Sequence, residues 1–263
     1  MLIALVAELT PDADPAADSG PSSTMRRQLL REQRQLHAVL DACGVDVVPV
    51  GRVRGVNELR QLARALVLDE VAFVPPDGWS ADLLDWARRG RHLVRLASPG
   101  LLDGRNVLQV DRQLFVGVPP GASDDALRAA AEAVAAYDYH VVPVPLSART
   151  VLRHACSYVG HGTVLADVRI VEAGALARLD VLPLRDAPPR AVSVLFAPPV
   201  AIVCGRAARA AVANGGLSWA SVELHAFERS GIALSDLALI VPSDDEAAGV
   251  LPHAGGRHLT ALG

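Results

Sequence analysis

The most regular pattern along the chain is a helical stripe that ends in a short strand, and it occurs more than once. From Ser22 to Cys43, Leu29, Gln33, Leu36, Val39, Leu40 and Cys43 fall on one face at helical spacing. Ser22, Ser23 and Thr24 supply N-cap oxygens ahead of this stripe. Gly44 fits the position just past a helix, where a left-handed backbone has no Cβ to accommodate. The chain then runs Val45-Asp46-Val47-Val48-Pro49-Val50, a returning strand. Almost the same letters recur at Tyr139-His140-Val141-Val142-Pro143-Val144, again behind a helix. There Ser123 is the cap, Asp124 and Asp125 lie at the positive end, and Leu127, Ala130, Ala131 and Val134 form the buried stripe. In front of that helix, Asn106–Val110 and Gln113–Val118 flank Asp111-Arg112, a two-residue hairpin connection. The repeated unit is therefore strand, strand, helix, strand.

A third copy begins at Val192. Val192–Phe196 and Val200–Cys204 form a hairpin around Ala197-Pro198-Pro199, followed by an alanine helix over Ala207–Ala213 and a returning strand at Val222–Leu224. Ile232–Val241 ends the series. Leu2–Ala7 reads as the first strand, Thr10–Ser23 as a surface loop, Asp82–Gly90 as a short helix and Thr163–Val171 as a further hairpin strand. Copied supersecondary units predict an α/β fold, a closed pseudo-symmetric α/β propeller of repeated ββαβ units with a pocket at the shared axis. One domain is expected over residues 1–241. Pro242–Gly263, rich in Pro, Gly, Asp and Glu, is expected to be a loosely ordered C-terminal extension.

Composition narrows the chemistry. Hydrophobic residues make up 51% and aromatics only 4%, so the core is built of Val, Leu and Ala. The net charge of −4 is modest, and all 25 basic side chains are Arg. No basic stripe with interleaved aromatics is present, so nucleic acid is not an expected partner. The N-terminus lacks a basic region and cleavage site, and no run of about 18 apolar residues occurs, so no membrane partner is expected. Cys43, Cys156 and Cys204 are too scattered for a disulfide framework. A cytoplasmic protein without cofactor, monomer or homodimer, follows as the expectation. His154, His161 and Cys156 match no metal-ligand spacing, and Gly51–Gly55, Gly160-His161-Gly162 and Gly215–Ser218 are glycine turns without a dinucleotide or nucleophile-elbow pattern.

Asp103-Gly104-Arg105-Asn106-Val107-Leu108 with Leu114-Phe115-Val116-Gly117 resembles the D-G-G-D-V-L…L-F-V-G stretch of the pentein family, nearest to its dimethylarginine dimethylaminohydrolases and amidinotransferases. Arg31–Leu36 through Gly44-Val45 is similar to that family's first helix and turn. Thr150–Tyr158 resembles its L-H-L-K-S-x-C-S segment, and Phe227–Gly231 with Leu237–Leu239 its closing E-K-x-G…C-L-S-L. The resemblance implies attack by a Cys thiolate on a guanidinium carbon, a His acid/base, and carboxylates that hold the cation.

Carried over residue by residue, that machinery is missing. Val151 stands at the His, Asp236 at the nucleophile, and Asn106 at the second Asp of the hairpin motif, with Arg105 replacing its Gly. Gly121-Ala122-Ser123 aligns with the family's Arg-Thr-Asn. Only the acidic position of the second strand survives, as Glu70 or Asp69. The expected function is a non-catalytic relative that binds a ligand or a partner protein. Glu70, Asp69, Asp236 and Asn106 would then line a site for a cationic guanidino or amine group. Two carboxylates there would lack a positive partner. The alternative is an active guanidine hydrolase with shifted groups, Cys156 as nucleophile and His154 as base; against it, Cys156 reads first as a small buried core thiol.

Overall fold

The computed structural model describes residues 2–10, 23–53, 56–75, 79–96, 100–185 and 190–242. Five three-stranded sheets follow one another along it. The first unit holds β1 (Leu2–Leu9), α1 (Ser23–Ala42) and β2 (Val45–Val53), and α2 (Val56–Ala63) leads on to the second. The second unit is β3 (Leu66–Val67), β4 (Val71–Val74), α3 (Ala81–Ala87) and β5 (His92–Arg95). The third is β6 (Val107–Val110), β7 (Gln113–Val118), α4 (Asp124–Ala135) and β8 (His140–Pro145). The fourth is β9 (Cys156–Gly160), β10 (Thr163–Asp167), a 3-10 turn over Ala173–Leu176 and β11 (Asp180–Leu184). The fifth is β12 (Val194–Ala197), β13 (Val200–Cys204), α5 (Arg206–Asn214) and β14 (Trp219–Val222). After it come α6 (His225–Arg229) and β15 (Ala238–Pro242).

Every sheet has the same wiring. A first strand pairs antiparallel with a central one, and the chain crosses over to a third strand parallel to the centre. In the first unit β15 takes the place of the first strand, with Leu2 opposite Pro242 and Val6 opposite Ala238. β6, β9, β12 and β15 touch in succession, and α2 packs against β1, β2 and β15, so the units form a ring in which the last strand completes the first sheet. The ββαβ reading holds with five copies, not three. Asp82–Gly90 and Thr163–Val171 belong to the two units that the pattern alone did not separate. Pro242 belongs to the closing strand, not to an extension; residues 243–263 lie outside the described residues, as does 11–22 of the expected surface loop.

The repeated Val-Pro motif is the outer strand of its sheet. Pro49 faces Val6, Pro143 faces Val116, and a third copy, Asp180-Val181-Leu182-Pro183-Leu184, sets Pro183 against Ala166. All three strands share one sequence of exposure, with the proline open to solvent and the next residue buried. Proline is tolerated there because one edge of an outer strand has no partner, so the missing N–H costs no ladder bond. Central strands read as unbroken apolar runs because they are covered on both faces: β10 (Thr163–Asp167) is buried at every residue. Tyr158 and Phe196 meet edge-on at 5.4 Å between the fourth and fifth units. The third returning strand ends at Val222; Leu224 instead starts α6, whose first N–H groups are capped by buried Glu32 from α1, 2.9 Å from Ala226 N.

Candidate functional site

Because the units are copies, the turns that enter their first strands meet at one end of the ring. Gly104–Asn106, Leu152–His154 and Leu234–Asp236 are 3-10 turns ahead of β6, β9 and β15. Arg64 precedes β3 and Ser193 precedes β12. Polar side chains from all five units are thereby brought to the axis, and three groups result.

The first is centred on Asp103. Its Oδ1 accepts from Arg105 N at 3.1 Å and Arg105 Nε at 2.9 Å, and Oδ2 accepts from Arg105 Nη2 at 2.7 Å and Arg64 Nε at 3.2 Å. The second is His154 with Asp236. Nε2 lies 3.3 Å from both carboxylate oxygens, and Oδ2 also accepts from Ala233 N at 2.9 Å. An ionised carboxylate only accepts, so Nε2 carries the proton of this contact. Burial alone pushes the Asp236 carboxyl up, but His154, the Ala233 N–H and the charge of Arg153 outweigh it and hold the group below the usual carboxylate range. The third group is Arg153, 3% exposed, whose Nη2 donates to Ser235 O at 2.8 Å. Beside it the Ser193 and Ser235 hydroxyls are 2.9 Å apart, and Ser193 Oγ accepts from Ser235 N.

Asn106 performs a bracing role. Its Nδ2 donates to Leu101 O and Gly117 O, and its Oδ1 accepts from Leu152 N at 3.3 Å. All its polar capacity is spent on backbone, which removes it from the expected ligand set. Val151 caps the turn at Leu152 with no side-chain bond and has no proton to move.

The expectation that Glu70 (or Asp69) and Asp236 face a common pocket without a cation does not hold. Glu70 is half-exposed and salt-bridged to Arg112, with Nη1 to Oε2 at 2.9 Å, and accepts from Tyr139 Oη at 3.1 Å. Burial raises its carboxyl, and the Arg112 and Tyr139 hydrogen bonds outweigh that and lower it. Asp69 N donates to the same tyrosine oxygen. Asp236 has His154 instead. Each carboxylate has its own partner, Arg112 for Glu70 and the His154 ring for Asp236, and the two do not share a pocket.

Cys156 and His154 are also separated. His154 turns to Asp236, whereas Cys156 begins β9 within the core, opposite Ala166, with no hydrogen bond to His154. Burial pushes the Cys156 thiol up to about 12. Cys204 is held at about 12 by burial and by the Glu228 carboxylate, 3.3 Å from its sulfur, and Cys43 is raised by burial as well. No cysteine is poised as a thiolate. The expected result is that iodoacetamide leaves Cys156 unmodified in the native protein and labels it only after denaturation, read by mass spectrometry of tryptic peptides. Among the described residues no group of three His, Cys, Asp or Glu side chains is placed to hold a metal, and no helix is long and apolar enough to cross a membrane.

At the same end of the ring a cavity of about 460 Å³ opens between the first and second units. Ala7 and Val50–Val53 form one wall, Glu58, Gln61 and Leu62 of α2 another, and Trp79, Ser80, Asp82 and Leu83 at the start of α3 a third. Trp79 is buried, and its indole N–H has no acceptor among the described residues. The lining is apolar at its centre with two carboxylates and one Arg at its margins, a composition suited to a small organic ligand with a positive end. Val50, the Arg52 turn and the Asp82 helix enter the sequence reading as structural elements only, and none of the lining residues as part of a site.

No protein-family model matches the chain, and no curated protein matches it in sequence. Solved structures do match in fold. A dimethylarginine dimethylaminohydrolase from Pseudomonas aeruginosa, complexed with citrulline, superposes with a TM-score of 0.71 over 91% of this chain and 98% of that one, at 14% identity. The N-terminal domain of ArgZ, an arginine dihydrolase from cyanobacteria, gives 0.71 over 91% and 98% at 16% identity. The amidinotransferase SxtG from Microseira wollei, of saxitoxin biosynthesis, gives 0.71 over 90% and 92% at 12% identity. The chain shares its fold with these enzymes.

Proposed function

We propose that this chain is a non-catalytic binding protein on the pentein fold, acting in the cytoplasm. It takes a cationic guanidino or amine group, free or as an arginine side chain offered by a partner protein, without breaking the C–N bond. The observation that carries this reading is the state of the thiols. Guanidine hydrolysis through a covalent intermediate requires a thiolate; Cys156 lies in the core while His154 is bonded to Asp236, and burial raises all three thiols. The position aligned with the nucleophile holds Asp236, which is buried and paired with His154.

The cavity beside α3 supports the binding half of the proposal. Glu58 and Asp82 line it together with Trp79, a residue type whose ring attracts a cation. Arginine, agmatine or a methylarginine should raise the melting temperature in a dose-dependent way and yield no citrulline. Glu58→Gln with Asp82→Asn should weaken binding about 10-fold or more, the worth of roughly one charge-assisted hydrogen bond. Citrulline production that disappears in Cys156→Ala would overturn the non-catalytic reading. An unaltered melting temperature with millimolar ligand would overturn the ligand assignment.

A further inference from the structure

Arg153 is the side chain whose surroundings leave most unexplained. It sits on the turn that enters β9, is 3% exposed, and makes one side-chain hydrogen bond, from Nη2 to the Ser235 carbonyl. No carboxylate lies within ion-pairing distance of it among the described residues. The two nearest are both committed: Asp236 accepts from His154 and the Ala233 N–H, and Asp103 accepts from the Arg105 fork and from Arg64. Arg105 adds a further positive charge nearby. Burial and that neighbour overcome the two carboxylates, and the Arg153 guanidinium falls to about 10.

A guanidinium in this position carries several N–H donors in a planar fork and a charge that water does not solvate. Both are costly inside a protein unless an anion answers them. The Ser193 and Ser235 hydroxyls adjoin the carbonyl that Arg153 holds; they are bonded to each other, which leaves one hydroxyl proton of the pair to donate. A planar fork of N–H groups next to a hydroxyl donor matches the oxygens of a carboxylate or phosphate, which accept two parallel bonds at once. His154, on the same turn, keeps part of its ring at the surface, so the turn is not sealed by other units.

We infer that the axial end of the ring is a site for a small oxyanion, received by Arg153 with the remaining hydroxyl proton of the Ser193–Ser235 pair. Its charge preference is opposite to that of a guanidinium site, and it is distinct from the cavity at α3. The ligand is identified by its chemistry, as a free oxyanion or the carboxylate or phosphate end of a small metabolite.

The test is thermal unfolding of the full chain at constant ionic strength, with chloride replaced stepwise by acetate, sulfate or inorganic phosphate. At oxyanion concentrations well above the dissociation constant the melting temperature should rise by about 3 °C or more. Arg153→Met, which keeps the aliphatic volume, should abolish the rise, and Arg153→Lys should retain part of it. Acetate acting alone marks the site as one for carboxylates, and phosphate or sulfate acting alone marks it as one for tetrahedral anions. An equal rise in the wild type and in Arg153→Met would overturn the inference, as would no rise with any of the three anions. Should Arg153→Met fail to fold, the wild-type titration and the Arg153→Lys variant still decide.

Discussion

Alanine at position 104 is expected to destabilise the protein by about 3 kcal/mol or more, enough to abolish a cooperative transition at moderate temperature. Built on the present backbone, its Cβ would stand 2.1 Å from the Ala65 carbonyl oxygen, 2.6 Å from the carbon and 2.9 Å from the Ala63 oxygen. These are main-chain atoms, so no rotamer change relieves the contact. Gly104 N also donates to Arg64 O, which fixes the second and third units against each other at this point. Relief would require the two units to part, exposing Leu66 and Val107, which are buried in the core. Urea titration of Gly104→Ala beside wild type measures the loss. A midpoint within error of wild type would show that the junction can yield.

The second large effect is expected at Asp236. Alanine there removes the acceptor of His154 and of the Ala233 N–H and takes the nearest negative charges away from Arg153. Leaving a buried donor without its acceptor costs about 1–3 kcal/mol, and here the His154 ring N–H and the Ala233 N–H both lose theirs. The sign of the pH dependence follows from the same contacts. The folded-state carboxyl lies below its unfolded value, so its contribution is complete above the unfolded pKa of about 4 and is lost as pH falls through the lower folded value. Wild type should therefore lose stability on acidification through that window. Asp236→Asn should begin lower and lose less over the same interval. Parallel stability curves for the two proteins between pH 3 and 6 would contradict this assignment.

Elements dominated by local signals were legible from the chain. The helix that Ser23 begins, the hairpin around Asp111-Arg112 and the Ser123 cap are observed, with Ser123 Oγ accepting from Ala126 N at 3.2 Å. Each is specified by residues no more than a few positions apart. The third Val-Pro copy escaped notice because Leu182 and Leu184 replace valines and a 3-10 turn replaces the expected helix before it. Strand β3, with two residues, is too short to have a period. The site was less legible still. The resemblance sets Asp236 at the nucleophile's position as an expectation and offers His154 as a possible base, but their contact joins residues 82 positions apart. Sequence order carries no information about that distance. The same holds for Glu70 and Arg112, 42 positions apart. What the sequence did carry was which turn each residue occupies, and the copying of units then determines which turns meet.

The pairing of β15 with β1 bears on the order in which the molecule assembles. Hairpins such as β6–β7 close across two residues, whereas the first sheet must join Leu2 to Pro242 across nearly the whole chain. Each doubling of a loop adds about 0.6 kcal/mol of closure entropy, and roughly six doublings separate these cases, so the last pairing starts about 4 kcal/mol behind the others. During synthesis β1 waits with one edge unpaired while four units emerge and pair locally. For that interval its apolar run, Leu2-Ile3-Ala4-Leu5-Val6, is an open template for a neighbouring chain. Nascent-chain aggregation, rather than loss of the finished fold, is the weakness that this closure builds in.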